Sequence, residues 1–281
     1  MAQVPPATPL LFDRALLQRR LARAQRLGPV TFLHDRVAED MEERLAAVNR
    51  SFADVAELWT PGEASLPLGK FSSRTRISVA DSPDEALSLQ PGSLDLVVSA
   101  LALQFVSDLP GVLAQIRRAL RPDGLLLAAL IGGDTLTELR QAFAEAEAEC
   151  EGGVSPRVAP FADLRDIGGL LQRTGFALPV IDVDRVVVRY DNAFALMADL
   201  RRMGATNILL ERRRTPTRRA TMLRMAEIYS KRFADPDGRI RATFDIIWLS
   251  AWAPHESQPK PLRPGSATAS LEAAVKKARE S

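Results

Sequence analysis

Apolar positions recur along this chain in two rhythms, and their order predicts alternating helices and strands. Leu16, Leu17, Leu21 and Ala24 fall at helical spacing until Gly28-Pro29 breaks the pattern. A second helix is expected over about 32–48, with Val37, Met41, Leu45 and Val48 on one face. Residues 52–59 and 76–80 suit strands, with the turn pair Pro61-Gly62 and little periodicity between them. Leu94, Leu96, Val97 and Val98 then form an unbroken apolar run within 93–104, as in strands of parallel sheets covered on both faces.

The next stretch sharpens the prediction. Residues 108–120 read as a helix, with Asp108 as N-cap, Pro110 in the first turn, and Val112, Leu113, Ile116 and Leu120 facing inward. Pro122-Asp123-Gly124 ends it, and 125–131 is a second buried strand. A turn at Gly132-Gly133-Asp134 leads into a helix over 135–150. Helices are also expected over 162–174, 192–204, 216–233 and, in the tail, 271–278. The strands 179–190 and 240–252 are expected to pair antiparallel. This order predicts a doubly wound α/β sheet, mostly parallel, with an antiparallel last strand. It divides the chain into a helical extension (1–50), a main domain (51–253) with a helical insertion near 192–234, and a tail (254–281).

Composition excludes several classes. The chain has 281 residues, 46% hydrophobic and 26% charged, with a formal net charge of +2. Such a chain buries a full core, and its charge offers no argument for nucleic-acid binding. Cys150 has no internal disulfide partner, and with only His34 and His255 as histidines the residues offer no metal-ligand set. No apolar stretch reaches the roughly 18 residues of a membrane span, and no secretory signal core is present. Residues 12–26 carry five arginines against Asp13 alone. This is the pattern of a basic amphipathic helix or of an organelle transit segment. The cluster Arg212, Arg213, Arg214, Arg218 and Arg219 is either a solvated helix face or a peripheral docking surface for an acidic partner or anionic lipid.

Residues 81–133 carry the most information. An acidic residue, Asp81, precedes the strand "PGSLDLVVS"; a helix ending in "LRPDG" follows; the next strand then leaves into a loop. This succession resembles the second half of a class I S-adenosylmethionine-dependent methyltransferase. The phrases "FDRALLQRRLARA", "GGDTLTELR", "GGVSPRVAPF", "LMADLRRMGATN" and "HESQPKPLRPGSA" are similar to one subfamily within it. That subfamily holds a methyltransferase-like assembly factor of respiratory complex I and relatives of the biotin-synthesis malonyl-carrier-protein methyltransferase. The resemblance runs from about residue 12 to 267 and implies a Rossmann-like fold with S-adenosylmethionine as cofactor. In the assembly-factor group it implies modification of an arginine on a complex I subunit, by hydroxylation.

One stretch departs from the family. The glycine-rich turn after the first strand is represented by Glu57-Leu58-Trp59-Thr60-Pro61-Gly62-Glu63, with one glycine left and bulky residues beside it. Fourteen positions, 63–76, remain where two helices and a strand are normally expected. The nucleotide-binding half is therefore expected to be short by about 20 residues, one β–α unit. No acid for the ribose hydroxyls can be assigned.

The resemblance implies cofactor contacts at Gly62, Asp81, Ser99, Ala100 and Leu101. Asp81 corresponds to the acid beside the adenine amino group, or is a turn aspartate. Gln104 stands where relatives often carry histidine. Asp134 is a substrate contact or the N-cap of the following helix. His255 and Glu256 are a substrate-side pair or a structural hydrogen-bonded one. Tyr190 and Tyr229 read most simply as core or rim aromatics. Three functions are consistent with these residues: a transferase acting on a protein substrate of the respiratory chain, a catalytically silent assembly factor on the same fold, and a malonyl-carrier-protein O-methyltransferase. Methyl transfer is an in-line displacement governed by positioning, so the scarcity of histidine and cysteine does not exclude it. The expected compartment is the cytoplasm, or the mitochondrial matrix in a eukaryotic source.

Overall fold

The computed structural model describes residues 10–60, 65–69, 71–82, 84–161 and 164–259. Six strands form one sheet among them: β1 (Asp54–Trp59), β2 (Ser73–Ser78), β3 (Leu94–Ala100), β4 (Leu120–Ile131), β5 (Ala177–Tyr190) and β6 (Ile240–Trp252). Their order is β2-β1-β3-β4-β6-β5. The β2–β1, β1–β3 and β3–β4 pairs are parallel; β6 runs antiparallel to both β4 and β5. The chain passes outward from β1 to β2 and then crosses back past β1 to β3, so the winding reverses between β1 and β3. A Rossmann-like α/β sheet is therefore present, with one strand fewer among the described residues than the seven of a full sheet of this type. Thirteen residues, 60–72, join β1 to β2.

Among the described residues seven α-helices pack around the sheet: α1 (Arg14–Leu27), α2 (Phe32–Ala46), α3 (Leu109–Ala119), α4 (Thr137–Glu151), α5 (Leu164–Arg173), α6 (Ala193–Arg202) and α7 (Arg219–Phe233). On one face, Leu33, Val37 and Met41 of α2 share a core with Val55, Leu96, Val98, Leu139, Leu196 and Tyr229. On the other, Leu113 and Ile116 of α3 and Ile167 and Leu171 of α5 pack on Val97, Leu126 and Leu249. Covering both faces explains why β3 and β4 are apolar without alternation. The smaller cluster of Leu17, Leu21, Ala80, Ile208 and Leu209 seats α1 at one end of the sheet.

Local chemistry accounts for most element boundaries. Asp13 caps α1 through the Leu16 N–H at 2.9 Å, Asp108 caps α3 through the Gly111 N–H at 3.0 Å, and Asn192 caps α6 through Phe194 and Ala195. Some boundaries shift by two or three residues, the strand expected over 76–80 lying at Ser73–Ser78 and the helix expected from 216 starting at Arg219, and two junctions are built differently from expectation. Residues 121–124 do not separate helix from strand but form an irregularity inside β4, between the Leu94–Leu120 and Leu96–Leu125 pairings. Arg121 holds it by bonding Asp54 and Asp95, each at 2.8 Å. Asp134 does not cap α4. Leu136 precedes that helix in the left-handed region, φ 54°, and gives its N–H to the Thr243 carbonyl at 2.7 Å. Asp134 pairs instead with Arg185 of β5 at 2.6 Å.

The phrase 132–140 is thereby tied to β6. Gly132 donates to the Asp245 carbonyl, the Thr135 hydroxyl accepts from the Asp245 N–H at 2.9 Å, and buried Glu138 accepts from the Thr243 N–H and hydroxyl at 3.2 and 2.5 Å. These bonds fix the loop leaving β4, one wall of the site described next.

Candidate functional site

A cavity of about 410 Å³ opens beyond the carboxyl ends of β1, β3 and β4, where Thr60, Leu101 and Ile131 meet. It lies at the reversal of winding between β1 and β3, the usual binding crevice of an open α/β sheet. Helices α1, α2 and α6 and the segment 205–213 form its roof. Arg23 to Thr206 at 3.3 Å, Arg202 to the Gly28 carbonyl at 2.7 Å and Arg212 to Asp13 at 3.0 Å hold these roof pieces to one another.

The lining is largely apolar, with Leu33, Leu139, Phe143, Met197 and Phe244 as its larger side chains. Polar side chains also line it, arginines above all. Gln104 stands in the short 3-10 turn Leu103–Phe105, with its amide N–H₂ on the Leu101 carbonyl and its Oε1 buried without a partner. Leu101 reaches the cavity through a left-handed backbone, φ 55°. His34 lies buried in the α2 wall, and burial holds its pKa below the ordinary imidazole value, opposed by Asp35 and Glu57. Arg20 of α1 borders the cavity with Nε and Nη1 sealed from solvent and unbonded.

The residues expected to form the site separate into groups. Leu101 and Gln104 line the cavity. Ser99 and Ala100 lie just behind, in the buried end of β3, the Ser99 hydroxyl without a partner. Asp81 is exposed beyond β2 and does not line the cavity; nearby Arg14 reaches the carbonyls of Val79, Ser82 and Phe105. Asp134 is exposed and engaged with Arg185. His255 and Glu256 are exposed beyond the far end of β6, beside Asp123, away from the cavity; His255 bonds Ser257 at 2.7 Å. Gly62 lies outside the described residues. Of the basic cluster, Arg212 and Arg213 line the cavity and pair with Asp13 and Glu151, and Arg218 also approaches Glu151. Arg214 and Arg219 remain as exposed basic positions.

The exit of β1 shows what has become of the glycine turn. Glu57 is buried and tied by Arg74 and by Arg76 at 3.2 Å to β2, with the Leu66 N–H at 3.3 Å. Trp59 lies under the Arg76 guanidinium, 4.1 Å from the ring centroid. The acid and the bulky residue therefore join β1 to its neighbour. For S-adenosylmethionine the fit of the cavity is uneven. Arg20 and the free Gln104 Oε1 suit the carboxylate and ammonium of its amino-acid end. No Asp or Glu among the described lining residues faces a ribose diol.

Arg20 and His34 were not singled out as site residues from the sequence, yet a signal was there. Arg20 shares the inward stripe of Leu17, Leu21 and Ala24, and His34 that of Leu33, Val37 and Met41, so each is a polar intruder on an apolar face.

Comparison with known proteins places the chain among relatives. A model described as "Methyltransferase domain" matches residues 34–128. The protein of Homo sapiens named arginine-hydroxylase NDUFAF5, mitochondrial, is 36% identical over 290 aligned positions, covering 95% of this chain and 84% of that protein. Its namesake in Dictyostelium discoideum is 45% identical, over 69% of this chain and 44% of its own length. A malonyl-[acyl-carrier protein] O-methyltransferase of Laribacter hongkongensis is 43% identical, over 60% of this chain and 54% of its own length. The match thus spans about half the length of several relatives and most of the human one.

Proposed function

The chain belongs to the methyltransferase family that includes arginine-hydroxylase NDUFAF5, and from that membership we propose that it acts in respiratory complex I assembly, on a protein substrate, through the cavity above β1 and β3. The observation that carries this reading is the cavity itself. It combines the topological reversal, the unpartnered Gln104 Oε1, the half-buried Arg20 of α1 and the buried His34 of α2.

S-adenosylmethionine, the cofactor of this family, supplies an electrophilic methyl group when bound. Arg20 would hold the carboxylate of its amino-acid end and Gln104 the ammonium. The apolar wall of Leu139, Phe143 and Phe244 excludes water and leaves alignment as the main contribution of the protein. His34, kept neutral by burial, is placed to accept a proton from an acceptor group entering past α2.

A second reading rests on the β1 exit. With Trp59 packed under Arg76 and no carboxylate lining the cavity among the described residues, the fold also suits an assembly factor that binds its partner without transfer chemistry. Arg214 and Arg219 are then the exposed cations left for an acidic partner surface. The compartment proposed is the mitochondrial matrix, as the names of the eukaryotic relatives suggest, or the cytoplasm of a bacterium. No helix among the described residues is long and apolar enough to cross a membrane.

Calorimetry with S-adenosylhomocysteine separates the two. Micromolar binding that Gln104→Ala weakens supports the transferase. Absence of binding at millimolar concentration, with complex I subunits still co-purifying, leaves the assembly factor.

A further inference from the structure

Residues 260–281, with the helix expected over 271–278, lie outside the described residues, which reach Pro259. The approach to that point is fixed. The Gln258 amide donates to Asp123 Oδ1 at 3.0 Å and to the Ala253 carbonyl at 2.8 Å. Asp123 is also held by Arg50, which follows α2 and lies 5.8 Å from the centroid of the Trp252 ring. Trp252 pairs with Ala177, the first residue of β5. Residue 260 therefore starts beside the end of α2 and the beginning of β5.

A groove runs between these two elements. Arg36, Asp40, Glu43 and Arg44 of α2 form one wall, and Asp182 and Asp184 of β5 the other. Four carboxylates share two arginines there, a net charge of −2. Arg36 pairs with Asp184 at 2.8 Å and Asp40 at 3.9 Å, and Arg44 with Asp182 at 3.0 Å. Toward the start of β5 the surface turns apolar. Val180, on the face of β5 that carries Asp182 and Asp184, is 61% exposed, and Leu178 is 42% exposed.

Residues 260–281 complement both features. They hold five bases, Lys276 and Lys277 among them, against Glu272 and Glu280, a net charge of +3. Leu271, Ala274, Val275 and Ala278 recur at helical spacing. The span also fits. From Ala177 to Asp184 β5 covers about 23 Å, while residues 260–270 reach up to about 36 Å when extended. We propose that residues 260–281 dock along the groove between α2 and β5 of their own chain, with Leu271 and Val275 over Val180 and with Lys276 and Lys277 against the groove's carboxylates. The docked segment clasps α2 to the edge of the sheet. The same helix carries Leu33 and His34 in the wall of the cavity.

The test uses an equal mixture of unlabelled and heavy-isotope-labelled full chain. A carbodiimide joins lysine amines to carboxylates in direct contact, and mass spectrometry reads the linked peptides. Links from Lys276 or Lys277 to Asp40, Glu43 or Asp182, each within one isotope label, are expected. Amides of 271–278 are expected to exchange at least about tenfold more slowly than in a free peptide of the same residues. Glu43→Lys, at an exposed position of α2, is expected to remove most of that slowing, and adding Lys276→Glu and Lys277→Glu to restore it. Val180→Asp is expected to remove it through the apolar contact; Val180→Thr serves if that variant does not fold. Links between differently labelled chains would place the segment on a second copy and overturn the proposal. So would the absence of links to the groove, exchange as fast as in the free peptide, or slowing that Glu43→Lys and the Val180 variants leave unchanged.

Discussion

Single side chains join segments far apart in this sequence, and Arg14 shows how. Its guanidinium reaches the carbonyls of Val79, Ser82 (2.9 Å) and Phe105 (3.0 Å) and the carboxylate of Glu85 at 3.4 Å. Glu85 in turn accepts the N–H groups of Ser107 and Asp108 at 2.7 and 2.8 Å. Both side chains are nearly buried, 11% and 5% exposed, so solvent cannot take over these bonds. Arg14→Met is expected to cost about 1–3 kcal/mol, the penalty for leaving buried acceptors unsatisfied, measured as the shift in urea unfolding free energy. A loss below 0.5 kcal/mol, the usual range of surface changes, would show that water replaces the guanidinium. Nothing in the spacing of residues 12–26 distinguishes Arg14 from its neighbours. A partner such as Phe105 is a long-range contact, visible only once the sheet is assembled.

Elements were legible where their signals are local. Asp108 and Asn192 cap helices because cap chemistry acts within three residues. The buried runs of β3 and β4 were plain because both faces are covered. The start of α4 was not legible, since Leu136 gives its N–H to Thr243 and Asp134 goes to Arg185. The packing of this loop gives a prediction. A Cβ on Gly132 would lie 2.8 Å from Ile247 Cγ1 and 3.2 Å from Asp245 Cβ, with little room between two strands. Gly132→Ala should cost about 1–3 kcal/mol by overpacking, seen in thermal unfolding, and slower ligand association should follow if the β4 exit shifts. On the other side of the cavity, Gly204 has φ +73° and a Cβ there would come 2.8 Å from Leu21 Cδ2. Gly204→Ala is expected to loosen α1 from α6, at about 1–2 kcal/mol for the left-handed backbone. Faster amide exchange across α1 is the readout, and unchanged exchange there would show that Leu21 simply turns aside.

At the scale of the molecule, a net charge of +2 conceals a dense pairing of acids with arginines, and that pairing sets its response to pH. Asp13 is held below the ordinary carboxylate range by the Leu16 N–H and then Arg212. For Asp95 and Glu147 burial works against ionisation, but hydrogen bonds from Arg121 and from Ser155 and Arg157 outweigh it and lower both. A carboxyl whose folded pKa is depressed contributes stability above its unfolded value, near 4. That contribution is lost as pH falls through the lower folded value. His34 acts in a higher window. Burial lowers its folded pKa below about 6.5, so the unfolded chain takes up the proton first and stability falls as pH drops below that point. The melting temperature should therefore be flat between about pH 7 and 9. It should decline first through the histidine window and then more steeply below about pH 4 as the carboxylates protonate. His34→Gln should flatten the first decline and leave the second. An unaltered profile between about pH 5 and 6.5 would mean that His34 protonates inside the cavity without cost. The imidazole would then be solvated there, and the proton-accepting role assigned to it would lose its physical basis.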